Sequence, residues 1–217
     1  MLHNLCSWTD KALDIADCFK FIADKKEAGQ IKNIGISMHD NSEYLEKILK
    51  EHPEIDFIQL QLNYLDWEDN GVEARKCYEL SKKYEKPVVV MEPVKGGSLA
   101  NVPPKAEELM KEYNSEASPA SWALRFVAEL DNVMMVLSGI SNQEQLEDNL
   151  ETFNNLKPIN NEEQEIINNV ADIIHSAIAI PCTSCDYCIN SCPKNIYISK
   201  YFELYNTEKQ TEWKGFS

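Results

Sequence analysis

Short, unbroken apolar runs alternate along this chain with stretches of helical spacing, and that rhythm constrains the fold more than any other feature. The runs are Ile34-Gly35-Ile36-Ser37, Phe57 to Leu62, Val88-Val89-Val90-Met91 and Val133 to Leu137, preceded by the stub Leu2 to Leu5. Strands that are apolar almost continuously are covered on both faces, which is the habit of parallel sheets flanked by helices. Between them, Asp10 is placed as the cap of a helix carrying Ala12, Ile15, Ala16, Phe19, Ile22 and Ala23, ended by Gly29. The second strand is assigned from Ile31 to Ser37. Asn41 or Ser42 caps a helix with Leu45, Ile48 and Leu49 inward, stopped before Pro53. Further helices are placed over Val72 to Tyr84, Lys105 to Tyr113, from Ser118-Pro119 onward, Gln143 to Phe153, and Glu162 to Ile178 with Ile166, Val170, Ile173 and Ile174 inward. The expectation is an α/β protein.

Composition narrows the function classes. The 217 residues are 43% hydrophobic and 26% charged, an ordinary globular balance. With 36 acidic against 21 basic side chains the net charge is −15, which repels phosphate backbones and anionic lipid, so neither nucleic acid nor a membrane surface is expected as a partner. The first ten residues, Met1 to Asp10, lack a basic segment followed by an apolar one, so no secretory signal is read there and a cytoplasmic location is expected. The composition shifts near Ile180-Pro181, dividing the chain into a βα part (1–158), a connecting helix (159–179) and a cysteine-rich module (180–217).

Four of the seven cysteines lie between positions 182 and 192, as Cys182-Thr-Ser-Cys185-Asp-Tyr-Cys188-Ile-Asn-Ser-Cys192-Pro193. An odd count and tight clustering disfavour a disulfide framework. The pattern is C-x2-C-x2-C-x3-C-P, the bacterial ferredoxin spacing for a [4Fe–4S] cluster, in which short gaps aim successive thiolates at corners of one cube. Structural zinc usually uses two separated pairs and fits less well, though it stays open. Cys182, Cys185 and Cys188 are assigned as ligands with Cys192 as the fourth. The remote candidates for that place are Cys6, Cys18 and Cys77, of which Cys18 and Cys77 fall in helices as small core residues.

In parallel βα folds, chemistry collects at the carboxyl ends of the strands. Here those ends carry His3-Asn4, Ser37, Gln59 with Gln61 and Asn63, Glu92 after Met91, and Ser138-Gly139. Gln59, Gln61 and Asn63 alternate with apolar residues, so they share one face and suggest a polar lining.

Several of these stretches resemble the aldo/keto reductases. They are Leu2-His3-Asn4-Leu5, Gly29 to Ser37, Gln59-Leu-Gln-Leu-Asn63-Tyr64, Val90-Met91-Glu92-Pro93-Val-Lys-Gly-Gly97, and Leu137-Ser-Gly-Ile-Ser141 followed by Gln145 and Asn149. The resemblance is strongest to bacterial members with a C-terminal ferredoxin-type motif. It implies a (β/α)8 TIM barrel of which this chain holds about five βα units, with a helical, cysteine-rich, ferredoxin-like extension. It also implies an oxidoreductase that uses NAD(P)(H) on a small carbonyl or alcohol substrate. By resemblance His3 orients the substrate carbonyl and is the catalytic candidate. Ser37 and Gln59 hold the nicotinamide carboxamide, and Met91 stands where many members stack a tyrosine on the ring. Ser138, Gly139 and Ser141 meet the cofactor phosphates, and Gln145 and Asn149 lie near the adenosine.

There are departures. Met38 and His39 follow Ser37 where many members have Asn, and the chain has only Arg75 and Arg125 to offer an adenosine 2′-phosphate, so NAD and NADP stay undecided. Five strands fall short of the eight strands and roughly 250 residues of a full barrel. If Leu2 to Leu5 is the fourth strand, the family's catalytic tyrosine, lysine and aspartate belong to segments not in this sequence. The chain is then expected to be the C-terminal portion of a longer oxidoreductase, a weak reductase alone, whose cluster passes electrons to or from a partner protein or pins the tail. The alternative is a non-enzymatic iron–sulfur electron carrier or interaction module on a degenerate barrel scaffold.

Overall fold

The computed structural model describes residues 1–180, 192–194 and 196–211. Five strands form one parallel sheet: β1 (Leu2–Leu5), β2 (Gly35–Met38), β3 (Phe57–Gln61), β4 (Val88–Met91) and β5 (Val133–Val136). Their spatial order is their chain order, and β1 and β5 are its edges among the described residues. A sheet wound in one direction has no switch point where the strand order reverses, so its natural site is the C-terminal rim rather than a crevice.

The register puts Ile36, Ile58, Val88 and Val133 in one row, and Ser37, Gln59, Val89 and Met135 in the next. Because side chains alternate, the two rows face opposite ways on β2 to β4, while the register slips by one residue at β5. Ile36, Ile58 and Val88 are fully buried. The opposite face is closed low down by Phe57, whose ring fills the space a Cβ on Gly35 would need, 2.1 Å from its nearest atom. Gln59, Gln61 and Met91 are half-buried on that face, and Met135 is exposed. The Gln59 and Gln61 amides thus share this face with the Met91 thioether.

The helices follow their end signals. Asn41 caps α3 (Ser42–Glu51) by accepting the Tyr44 N–H, and Tyr44, Leu45, Ile48 and Leu49 are buried. The buried residues of α4 (Ala74–Lys83) are Ala74, Cys77, Tyr78 and Ser81, and this helix packs on α3 and β3. Two expectations fail at the start of the chain. The helix assigned to Asp10–Ala23 is two, α1 (Asp10–Ile15) and α2 (Cys18–Glu27), because Asp17 adopts φ 46° and ends the first. Asp10 is not a cap either: Thr9 holds that position, while the Asp10 carboxylate takes the Tyr44 hydroxyl and Lys47. The second strand is also shorter than assigned, since Ile34 N–H goes to the Asp56 carboxylate instead of a ladder.

The chain separates into two units. The first, residues 1–96 and 123–159, holds the sheet, α1 to α4 and, beyond β5, α7 (Gln143–Asn154). The second, residues 97–122 and 160–217, holds α5 (Pro104–Tyr113) packed on α8 (Asn161–Ala177), which in turn contacts α9 (Ile198–Thr211). Between α5 and α7, α6 (Pro119–Ala128) begins at the expected Ser118-Pro119, with Ser118 Oγ accepting the Ser121 N–H at 3.0 Å. A capping box of Asn160 and Glu163 starts α8, whose buried stripe is Glu163, Ile167, Val170 and Ile174. Val170 and Ile174 are buried as expected, while Ile166 and Ile173 are only half-buried and Ile167 takes the inner place.

Candidate functional site

The rim of the sheet is shaped first by an irregularity in β1. Leu2 pairs with Ile36 and Leu5 with Met38, so three steps on β1 match two on β2, with Asn4 at φ 61°. A bulge of this kind re-aims backbone and side chains, and asparagine tolerates the left-handed region better than most residues. The Asn4 N–H leaves the ladder and donates to Ser37 Oγ at 2.8 Å. Ser37 is fully buried, and its Oγ also lies 3.0 Å from His3 Nδ1. The Ser37 hydroxyl, with one proton and two lone pairs, can also donate to His3 Nδ1, an arrangement that puts the imidazole proton on Nε2 of the exposed ring. His39 packs edge-on against His3 with ring centroids 5.8 Å apart. Burial and then His3 hold the His39 imidazole below the usual histidine range.

Gln59 is one residue along this row. Its Nε2 donates to Met91 Sδ at 3.2 Å, so the amide and the thioether are tied together. The next amides belong to a different arrangement from the shared open lining expected. Asn63 is buried and Gln61 Nε2 and Asn63 Nδ2 both donate to Asp66 Oδ2 at 2.8 Å. Asn63 Nδ2 reaches Glu92 O at 3.1 Å, and its Oδ1 accepts the Leu65 and Asp66 N–H groups. Lys95 pairs with the other Asp66 oxygen.

The remaining expected residues lie beyond β5. Ser138 Oγ accepts from Asn149 Nδ2 at 2.9 Å, and Gln145 Oε1 accepts the Ser141 N–H at 2.8 Å and hydroxyl at 3.0 Å. Gly139 is exposed with nothing within 4 Å of where a Cβ would sit. These contacts fix the turn into α7, whose Gln145 N–H is capped by the Asn142 side chain. The structure thus brings His3 with Ser37, Gln59 with Met91, and Ser138 with Asn149 and Ser141 with Gln145, all within the first unit.

The aldo/keto reductase family profile matches residues 4–172. The chain belongs to the aldo/keto reductase family. A search of curated proteins finds no match. Among solved structures, the fold resembles an aldo-keto reductase of Bacillus halodurans in its holo form (22% identity, TM-score 0.60), covering 78% of this chain and 57% of that one. It also resembles an aldo/keto reductase of Klebsiella pneumoniae in complex with NADP and acetate (13% identity, TM-score 0.58), over 78% and 57% of the two chains. A third is the aldo/keto reductase of Brucella melitensis (19% identity, TM-score 0.53, 70% and 53% covered). The chain therefore spans little more than half the length of these reductases.

This family member carries a cysteine motif beyond the matched region. Cys182, Cys185 and Cys188 lie outside the described residues, and among the described residues no group of three or more metal-ligating side chains gathers. Cys192 is described: it is half-buried, and its Sγ lies 3.5 Å from the Ile196 N–H that donates to it. On the near side of the motif, Ile180 is clamped to α9 by a reciprocal pair, its N–H to Asn206 Oδ1 at 2.9 Å and its carbonyl from Asn206 Nδ2 at 2.8 Å. Of the remote candidates, Cys6 and Cys77 are buried, and burial pushes the Cys77 thiol up to about 12. No described helix is long and apolar enough to cross a membrane.

Sequence reading missed Asp66, Lys95 and His39 as parts of the rim. The pattern Asn63-x-x-Asp66 is one in which an asparagine side chain caps the turn after a strand. The Lys95 partner, 29 residues on, has no local signal.

Proposed function

We propose that this chain supplies the carbonyl-orienting and nicotinamide-holding part of an aldo/keto reductase site acting on a small carbonyl or alcohol substrate with NAD(P)(H). The observation that carries the proposal is the Ser37–His3 contact, because a Ser37 hydroxyl donating to Nδ1 leaves Nε2–H as a donor at the exposed end of β1. Such a donor polarises a carbonyl and then stabilises the negative charge that develops on its oxygen. Bound NAD(P)H supplies the hydride. Gln59 presents an amide that pairs with a carboxamide, and the Met91 thioether, anchored by that amide, offers a polarizable surface to a flat ring. Gly139 leaves backbone open beside the start of α7, where N–H groups and the helix dipole favour phosphate. The test is titration of the chain with NADH and NADPH by fluorescence, with wild type binding and Gln59→Ala weakened.

The tail is assigned as a [4Fe–4S] module over 180–217, held by Cys182, Cys185, Cys188 and Cys192, in a protein of a reducing cytoplasm. What supports it is the spacing together with the Ile196 N–H aimed at Cys192 Sγ, since N–H donors to ligand sulfurs are a means by which proteins tune clusters. Such a cluster would pass single electrons to or from a partner protein or pin the tail. Anaerobic purification with iron and sulfide counts tests it. A colourless protein with one zinc per chain overturns it.

A further inference from the structure

The loop that follows β4 bends through backbone that side chains avoid: Glu92 has φ 56°, Lys95 47° and Gly96 61°. Two non-glycine residues in the left-handed region within four positions persist only where surroundings hold them. Here the holder is Asp66, only 3% exposed. Its carboxylate gathers the Gln61 and Asn63 amides on one oxygen and Lys95 on the other. Asn63 extends the tie to the loop backbone through Glu92 O, and its own oxygen holds the Leu65 and Asp66 N–H groups. The loop after β3 and the loop after β4 are thereby bolted together on both sides of Pro93. Met91, the last residue of β4, is fixed from one side by Gln59 and from the other by this loop.

We propose that Asp66 is a positioning residue: through Asn63, Gln61 and Lys95 it sets the backbone of residues 92–96 and so the place of the Met91 thioether and of the rim that receives a dinucleotide. The cofactor half of this inference rests on the proposed function; the loop half does not. Asp66 is buried while the Lys95 side chain is 35% exposed, and an ion pair that must shed water is a poor source of net stability, since apolar replacement is often neutral. Its effect here is to select one arrangement of a strained loop at the sheet rim, where parallel βα folds bind ligands.

The test compares Asp66→Asn with the double variant Asp66→Asn/Lys95→Met, which removes both charges of the pair and keeps an oxygen for the two amides. Three quantities are read on the full chain: melting temperature, the Met91 methyl resonance with amide exchange at 92–96, and dissociation constants for NADH and NADPH. The double variant is expected to melt near wild type, yet to show a displaced Met91 methyl signal and faster exchange at 92–96. The Met134 methyl, on edge strand β5, stays in place. Dinucleotide affinity falls about tenfold or more, the range of coupling through a shared network. An unmoved Met91 signal with unchanged exchange overturns the positioning role, whatever the affinities. Unchanged affinity despite a displaced loop overturns its cofactor half. If wild type binds neither dinucleotide, the site assignment fails, and the cofactor half with it, while the methyl and exchange data still decide whether Asp66 sets the loop.

Discussion

Ser37 Oγ stands 3.0 Å from His3 Nδ1 while accepting the Asn4 N–H at 2.8 Å, so the hydroxyl proton and the imidazole tautomer are set together. Imidazole 15N spectra at neutral pH are expected to show His3 as the Nε2–H tautomer in wild type. In Ser37→Ala the lock is lost and both tautomers are populated. The Asn4 N–H also loses its acceptor, which costs about 1–3 kcal/mol to the extent that it stays buried. A wild-type spectrum dominated by the Nδ1–H form contradicts the assignment.

Gly35 and Phe57 are a matched pair, since the phenyl ring occupies the volume of a side chain at position 35. Gly35→Ala forces the ring out of its seat on the inner face and is expected to destabilise by about 1–3 kcal/mol, the usual range for overpacking. Gly35→Ala/Phe57→Leu recovers most of that loss, which chemical denaturation of the four members of the cycle measures. Equal losses in the single and double variants would mean that another contact demands glycine.

Acid should loosen the α3–α4 pair through Glu73. Its carboxyl is held down at about 2 by Lys76, then by the Ser42 hydroxyl and backbone N–H, against an ordinary 4.5. Both folded and unfolded forms are ionised above pH 4.5, where the contribution is full. It is lost as pH falls from 4.5 towards 2, where the unfolded chain binds the proton first. Glu73→Gln lowers neutral stability by about 1–2 kcal/mol, the scale of charge-assisted bonds, and flattens the stability profile across that window. An unchanged profile removes Glu73 from the acid response.

The parts that sequence made legible are those with a local cause. Strand identity follows from the apolar runs; the caps at Asn41 and Ser118 follow from short-range hydrogen bonds. The break at Asp17 was missed because helical spacing continues through it and only its positive φ interrupts the helix. At the rim, His3, Ser37, Gln59 and Met91 were picked out by resemblance, and the register accounts for their lying on neighbouring strands, since Ser37 pairs with Gln59 and Gln61 with Met91. Asp66–Lys95 could not be read, because the tie depends on how two loops meet and neither residue is unusual in its own segment.

Thiol chemistry separates the cysteines by environment. Cys6 is fully buried and Cys77 nearly so, which shields both from reagents, and burial pushes the Cys77 thiol up to about 12. Native protein prepared without air is expected to leave Cys6 and Cys77 unlabelled by iodoacetamide. With a cluster in place Cys182, Cys185, Cys188 and Cys192 are also protected, and only the half-buried Cys18 reacts. Removing iron with a chelator and reductant then exposes the four motif cysteines together, while Cys6 and Cys77 stay protected until denaturant is added. Mass spectrometry of the labelled peptides checks the pattern. Labelling of Cys182, Cys185 and Cys188 before chelation contradicts a cluster, and labelling of Cys77 in the native chain contradicts its burial on the inner face of α4.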